Sequence, residues 1–302
     1  MQSSWGARSR KWLWRTSTGV AIALLVLAAY LWWQRPVPVP PTEIFQGVSY
    51  RCERLAPTPE ARGLMHLVEV DLTAPGLELY VTPLDEFALG QGWQYRLRWS
   101  PRVVRAEQLS VMVTGTLSEF ADPRWLQWPG RFARSLETLV ADGQLSHVHE
   151  HSYMLWFADD LTPHLEKGKP PSPTAIQQAR WAVSGQGVHL KNGIVSGSAD
   201  RVPDARVLVG IDGERQKLFL GVFERASTKV AAELMGVYGA VDAISLDGGT
   251  SSTIAIGRGA KGIRPRTLLF PKRFIPTHFG IRALPIYGSR QAALDVLATQ
   301  NL

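Results

Sequence analysis

The segment Ala240–Gly257, AVDAISLDGGTSSTIAIG, concentrates side chains that could do chemistry. Apolar Val241, Ala243, Ile244 and Leu246 deliver Asp247 to Gly248 and Gly249. The hydroxyls of Thr250, Ser251, Ser252 and Thr253 follow, and Ile254-Ala255-Ile256 resumes a strand pattern. Glycine reaches positive φ without steric cost, so the pattern predicts two strands reversing tightly around the glycines. The tip of such a reversal presents a carboxylate, backbone N–H groups able to turn toward an anion, and several hydroxyls. Asp-Gly is also ordinary turn chemistry, and Asp247 by itself reads equally well as a turn former.

A second cluster is HVHEHSY, His147–Tyr153. Ser146–Phe157 reads as a strand, in which His147, His149, His151 and Tyr153 share one face and Glu150 points to the other. Histidines two apart on a strand can share a divalent metal, which would suit a metal-dependent phosphodiesterase. No cysteine or aspartate cluster stands nearby to complete a ligand set, so the same pattern also reads as a polar strand face. Glu150 and His151 could then line a substrate cleft without metal. The expectation is no cofactor, with a divalent metal as the competing reading.

The elements that must hold these groups are mostly short strands. Residues 64–72, 77–83 and Gln108–Val113 alternate as strands, and Arg206–Asp212 with Lys217–Phe223 reads as a hairpin around Asp212-Gly213. Arg131–Ala141 has helical spacing of apolar residues. Ser227–Val237 reads as a helix capped by Ser227 or Thr228, with Val230, Leu234 and Val237 along one face. Glu233 within it could orient substrate or an arginine, or stand in solvent as an ordinary helix residue. The expected fold class is α+β, one strand-rich compact domain with two or three helices.

Several segments, in order, carry a resemblance: GVSY (Gly47–Tyr50), HLVEVDL (His66–Leu72), ELYVTP (Glu78–Pro83), SGQGVHLKNGIV (Ser184–Val195) and DARVLVGID (Asp204–Asp212). KVAAELMGVYGAVDA (Lys229–Ala243), SLDGGTSS (Ser245–Ser252) and RFIPTHFGI (Arg273–Ile281) continue it. Together they resemble the phosphodiester glycosidase domain family over about residues 44–287. The resemblance implies a hydrolase acting on a sugar linked through C1 to a phosphodiester, with Asp247, Arg206 and Glu233 as catalytic residues. It implies Gly248, Gly249, Thr250, Ser251 and Ser252 as substrate contacts, with Arg206 as a bidentate cation for phosphate. Relatives usually carry an Asn-Gly-Gly-aromatic-Phe string after the first strands, whereas SVMVTGTLSEF (Ser110–Phe120) places Thr114-Gly115-Thr116 there. A non-catalytic envelope protein binding anionic glycans in the same cleft is the alternative that this departure leaves open.

At 302 residues, with 45% hydrophobic and 20% charged side chains, the chain can bury a substantial core. Its net charge of +7 would suit a nucleic-acid partner, but Arg8, Arg10, Lys11, Arg15 and Arg35 stand in an acid-free N-terminus. The remainder holds 28 basic against 26 acidic side chains, so no basic binding face is expected. Ser17–Trp33 is an uncharged apolar run that as a helix would span roughly 25 Å, with Trp12 and Trp14 before it and Tyr30, Trp32 and Trp33 closing it. Basic residues before an apolar run keep the N-terminus in the cytoplasm. Ala28-Ala29-Tyr30 makes a poor cleavage site, so a retained anchor is expected over a cleaved signal. The expected organisation is a basic tail over 1–16, a bacterial inner-membrane anchor over 17–33, a proline-rich stem over 34–43 and a periplasmic domain over 44–302. The expected partners are the membrane and a phosphodiester-linked glycan or glycolipid. Cys52 is the sole cysteine, so no disulfide forms within the chain.

Overall fold

The structure, a computed structural model, describes residues 20–30, 36–151, 153–166, 170–185, 187–197, 199–269 and 271–286. Two units separate between Val37 and Pro38. In the first, residues 20–30 are an exposed helix. No helix among the described residues is long and apolar enough to cross a membrane. The expected Ser17–Trp33 anchor is described only in its middle; its two ends and the basic tail lie outside the described residues.

An eight-stranded antiparallel sheet organises the second unit. Its order is Val39–Phe45, Val48–Arg54, Ala61–Asp71, Lys217–Ala226, Asp204–Ile211, Asp242–Ser245, Val188–Lys191, Ile194–Val195. Its central strands are apolar on both faces because both faces are covered. On one, Val68, Val70, Val207, Val209, Leu220, Val222 and Ile244 meet a five-stranded sheet through Leu79, Val81, Val111, Val113, Ile254, Phe279 and Ile281. That sheet runs Arg266–Leu269, Ile254–Ile256, Val111–Thr114, His278–Arg282, Glu78–Val81. On the other face, Met65, Leu67, Leu208, Phe219 and Phe223 pack under the Thr228–Val237 helix through Ala231, Ala232 and Met235. Each buried aliphatic side chain contributes about 1.5–3 kcal/mol, and a one-residue slip would exchange the two cores, so the register is firmly set. A second five-stranded sheet holds Val140–Ala141, Trp181–Gly185 and Tyr153–Phe157, and a small three-stranded one holds Tyr95–Arg96, Phe132–Ser135 and Ser118–Phe120.

The strand-rich α+β class holds, with five α-helices among the described residues in place of two or three; three of them are four to seven residues long, too short for periodicity to reveal. The hairpin around Asp212-Gly213 is present as expected. Ser227 caps the helix by accepting the Val230 N–H at 3.1 Å, but the buried face is Ala231, Ala232 and Met235, while Val237 is 75% exposed.

Four expectations are corrected. Arg131–Ala141 is two strands, Phe132–Ser135 and Val140–Ala141, not a helix; Ser135, Glu137 and Thr138 between and within them are fully buried polar groups, and tertiary contacts override the apolar spacing. The strand expected over Ser146–Phe157 is confined to Tyr153–Phe157, so His147, His149 and His151 sit in irregular backbone. Half of the expected stem is the edge strand Val39–Phe45, whose pairing is irregular between Val39 and Thr42; Pro40 and Pro41 are tolerated there because an edge strand need not donate on its outer side. The strands flanking Gly248-Gly249 do not form a hairpin: Asp242–Ser245 belongs to the eight-stranded sheet and Ile254–Ile256 to the five-stranded one. The LDGGTSS segment is a crossover between sheets.

Candidate active site

Asp247 lies two residues beyond the Asp242–Ser245 strand, at the start of this crossover, and its surroundings follow from the crossing. Its N–H donates to the Gly115 carbonyl at 2.9 Å, which ties it to the end of the Val111–Thr114 strand. Thr114 then clamps the far side of the turn: its hydroxyl donates to the Ser251 carbonyl at 2.6 Å and accepts the Thr253 N–H at 2.9 Å. Gly249 takes φ +56 and leads into a short 3-10 turn, Gly249–Ser251. Gly248 lies against the Asp204–Ile211 strand, where a Cβ would fall 2.9 Å from the Ala205 carbonyl oxygen.

The cation that reaches Asp247 is Arg273. Its Nη2 stands 3.5 Å from Asp247 Oδ2, and Nε and Nη2 both donate to Ser251 Oγ, at 2.9 and 2.6 Å. The guanidinium also lies 4.3 Å from the centre of the Phe120 ring. Asp247 exposes 7% of its side chain and Arg273 20%, so the pair sits where water screens it weakly. Burial raises the Asp247 carboxyl above its ordinary range, opposed by Ser251, the Arg273 charge and the Gly248 N–H. Burial likewise lowers the Arg273 pKa, with Asp247 pulling it back up and the charge of Arg124 adding to the depression. A carboxylate and a guanidinium, both partly desolvated and joined by a serine, can present negative and positive charge to one ligand.

The other expected site residues divide. Gly248, Gly249, Thr250, Ser251 and Ser252 form the turn itself; the Thr250 carbonyl accepts the Lys272 N–H at 2.7 Å, which positions Arg273 next along the chain. Ser252 Oγ is buried with no hydrogen-bond partner among the described residues. Arg206 touches the back of the turn, its Cδ 3.9 Å from where a Gly248 Cβ would be, but its Nη2 donates to Asp200 at 3.1 Å and to the Val202 carbonyl at 2.9 Å. Beside it His189, lowered by burial to about 4, shares a 2.9 Å hydrogen bond with Ser245. Glu233 stands half exposed on its helix and pairs with Lys229 at 3.3 Å, four residues back. Glu150 and His151 are exposed, and neither bonds to the Asp247 cluster among the described residues. The rings of His147, His149 and His151 meet edge to face at 6.3 and 5.9 Å, and no group of three His, Cys, Asp or Glu that could hold a metal occurs among the described residues.

Sequence reasoning missed Arg273. It opens the quoted RFIPTHFGI segment, and its place at the head of that segment was the available signal. It also left unread that Thr114-Gly115-Thr116 would lie under the turn. A Cβ on Gly115 would fall 2.7–2.9 Å from Thr277, so this position accepts no side chain without movement.

The sequence profile of the phosphodiester glycosidase family matches residues 113–282, a span that includes Asp247, Ser251 and Arg273. Among solved structures, the zebrafish N-acetylglucosamine-1-phosphodiester alpha-N-acetylglucosaminidase catalytic domain, auto-inhibited by its pro-peptide, is similar with a TM-score of 0.56. The identity is 16%, over 82% of this chain and 88% of that one. A hypothetical protein from Synechocystis is similar with a TM-score of 0.52 and 10% identity, over 78% of this chain and 62% of that one. A putative exported protein from Burkholderia pseudomallei follows with 0.51 and 11%, over 76% and 75%. At these identities the likeness is one of fold. No curated protein sequence matches the chain.

Proposed function

The chain belongs to the phosphodiester glycosidase family, and from that premise we propose that it hydrolyses the glycosidic bond of a sugar-1-phosphodiester at the Asp247 turn. The observation that carries this reading is the half-desolvated Asp247–Arg273 pair, 3.5 Å apart and sharing Ser251. A phosphodiester leaving group is a weak base, so its departure needs little general-acid help and more stabilisation of phosphate charge. In this reading Arg273 donates to the phosphate oxygens, joined by the N–H groups of Gly249 and Thr250 and the Thr250 hydroxyl, while the Ser251 and Ser252 N–H groups close the turn on the Gly248 and Gly249 carbonyls. Asp247 supplies the negative charge that the oxocarbenium-like sugar carbon requires. Arg206, held by Asp200, buttresses Gly248 from behind.

The basic residues before the apolar Ser17–Trp33 run support placing the domain on the exported side of a bacterial inner membrane, beside phosphodiester-linked glycans or glycolipid head groups. Fractionation should find the full-length chain in the membrane with Leu302 accessible only from the exported side. A soluble form beginning near Gln34 would replace the anchor with a cleaved signal.

One observation favours a second reading, a non-catalytic protein that binds anionic glycans in the same cleft. Thr114-Gly115-Thr116 supplies no carboxamide where the resemblance leads one to expect Asn-Gly-Gly. Incubation of the purified chain with a panel of sugar-1-phosphodiesters in heavy-oxygen water separates the readings. Label in the sugar hydroxyl supports glycosidic cleavage, label in the phosphate overturns it, and saturable binding without turnover selects the second reading.

A further inference from the structure

Arg62 and Arg225 occupy directly opposite positions on the neighbouring strands Ala61–Asp71 and Lys217–Ala226. Directly opposed residues project from the same face of a sheet, and like charges so placed destabilise the pairing. Both side chains are exposed, and among the described residues neither forms an ion pair. The nearby carboxylates are engaged elsewhere. Glu224 accepts the Leu64 N–H at 2.9 Å, and Glu60 accepts the Ser227 hydroxyl at 2.9 Å and pairs with Arg201 at 3.5 Å. The two arginines line one cavity of about 140 Å³ with Thr58, Pro59, Ala61 and Pro203. Its wall is stiffened by a turn in which the Thr58 hydroxyl accepts the Ala61 N–H at 2.9 Å, leaving that hydroxyl's own proton to donate.

We propose that this cavity is an anion site for a phosphate group, separate from the Asp247 turn. Two guanidinium forks and a hydroxyl around a cavity this size match the oxygens of one phosphate, which would relieve the repulsion between the arginines. The site lies at the end of the central strands that also carries the crossover: Ala226, next to Arg225, pairs with Asp204, whose carboxylate stands 3.2 Å from where a Gly249 Cβ would be. The phosphate could belong to a soluble phosphorylated glycan or to a lipid head group; the chemistry recognised is the same. The inference does not depend on the Asp247 turn cleaving glycosidic bonds.

The test is a titration of the full chain with inorganic phosphate at fixed ionic strength, read by thermal shift and calorimetry. Arg62→Gln with Arg225→Gln should weaken phosphate binding at least tenfold, each single change should weaken it severalfold, and Arg273→Gln, which removes the cation of the Asp247 turn, should retain it. Without phosphate, the double variant should be no less stable than the wild type, because the like-charge pair is gone. Co-sedimentation with phosphatidylcholine vesicles, with and without phosphatidylglycerol, identifies the source. Capture by the anionic vesicles, lost in the double variant, assigns the site to head groups; phosphate binding without capture assigns it to soluble phosphates. Phosphate affinity unchanged in the double variant and both singles overturns the proposal.

Discussion

Asp247 and Arg273 stand 3.5 Å apart although the chain delivers them from different sheets. Asp247 leaves the eight-stranded sheet after Ser245, and Arg273 precedes the His278–Arg282 strand of the five-stranded one. What closes the gap is the end of the Val111–Thr114 strand, where the Gly115 carbonyl holds Asp247 and the Thr114 hydroxyl holds Ser251. The pair therefore reports on the packing of the two sheets, and a change that slides one sheet over the other separates the two charges.

Asp247→Asn should keep the fold and remove activity. Losing the negative charge opposite the sugar carbon should lower the rate about a thousandfold, several kcal/mol of transition-state stabilisation. Stability should move the other way. Burial raises the Asp247 pKa, so the folded state holds that proton more tightly than the unfolded chain does. The stability linked to it is present below the ordinary carboxylate range and lost as pH rises through the raised value. At neutral pH the asparagine variant should thus melt no lower than the wild type, with the difference shrinking on acidification. Full turnover by the variant would falsify the assignment.

Two buried histidines, His66 and His278, and the partly buried His189 set the acid limit. His66 and His189 are lowered by burial to about 4, and His278 well below its ordinary value. A group depressed in this way contributes stability that is present above the unfolded value of about 6.5 and lost as pH falls toward the folded one. Three such protons give a slope of roughly 4 kcal/mol per pH unit at most. Urea unfolding from pH 7 down to about pH 4 should show the loss, and His66→Gln together with His278→Gln should flatten it. A stability flat across that window would show that the protonated rings find hydrogen-bond acceptors in the folded state.

The crossover explains how much of this site could be read in advance. Asp247, the glycines and the hydroxyls were legible because their types and spacing are local. The hairpin around them was misjudged because Ile254–Ile256 pairs with Val111–Thr114, more than a hundred residues away, and nothing nearby in sequence announces that choice. Arg131–Ala141 misled for a related reason: Phe132, Leu136, Leu139 and Val140 fall at helical spacing, yet Ser135 and Thr116 share a buried hydrogen bond of 2.8 Å that only a strand arrangement brings together. Arg273 escaped because a single arginine has no periodicity to mark it, even at the head of the RFIPTHFGI segment; only the meeting of the sheets gives it a partner.

Gly115→Ala tests the seat of the turn. The added methyl would fall 2.8 Å from the Thr277 carbonyl carbon, so backbone must shift. Overpacking of this kind costs about 1–3 kcal/mol, which should appear as a lower melting temperature. Because the Gly115 carbonyl accepts the Asp247 N–H, activity should fall further than the loss of folded protein explains. Unchanged kcat in the folded fraction would separate the turn's position from catalysis.

The last expectation contrasts two arginines and a glutamate. Arg273 holds Ser251 with two nitrogens and faces Asp247, and a lysine ammonium cannot reproduce that fork. Arg273→Lys should therefore lower kcat/KM roughly a hundredfold, about 2.7 kcal/mol, with the pH profile displaced because a shorter, point-like ammonium compensates Asp247 less closely than the fork does. Combined with Asp247→Asn, the two losses should fall short of additive, since the residues act as one unit. Arg206→Lys keeps a cation for Asp200 behind the turn and should cost less than tenfold. Glu233→Gln loses only a helix-surface pair with Lys229 and should change kcat/KM less than twofold and stability by under about 0.5 kcal/mol. The ordering is checked by steady-state kinetics of the four variants on one sugar-1-phosphodiester. If Glu233→Gln or Arg206→Lys proves as damaging as Arg273→Lys, the phosphate lies behind the turn with Arg206, and the site must be redrawn on that side of the sheet.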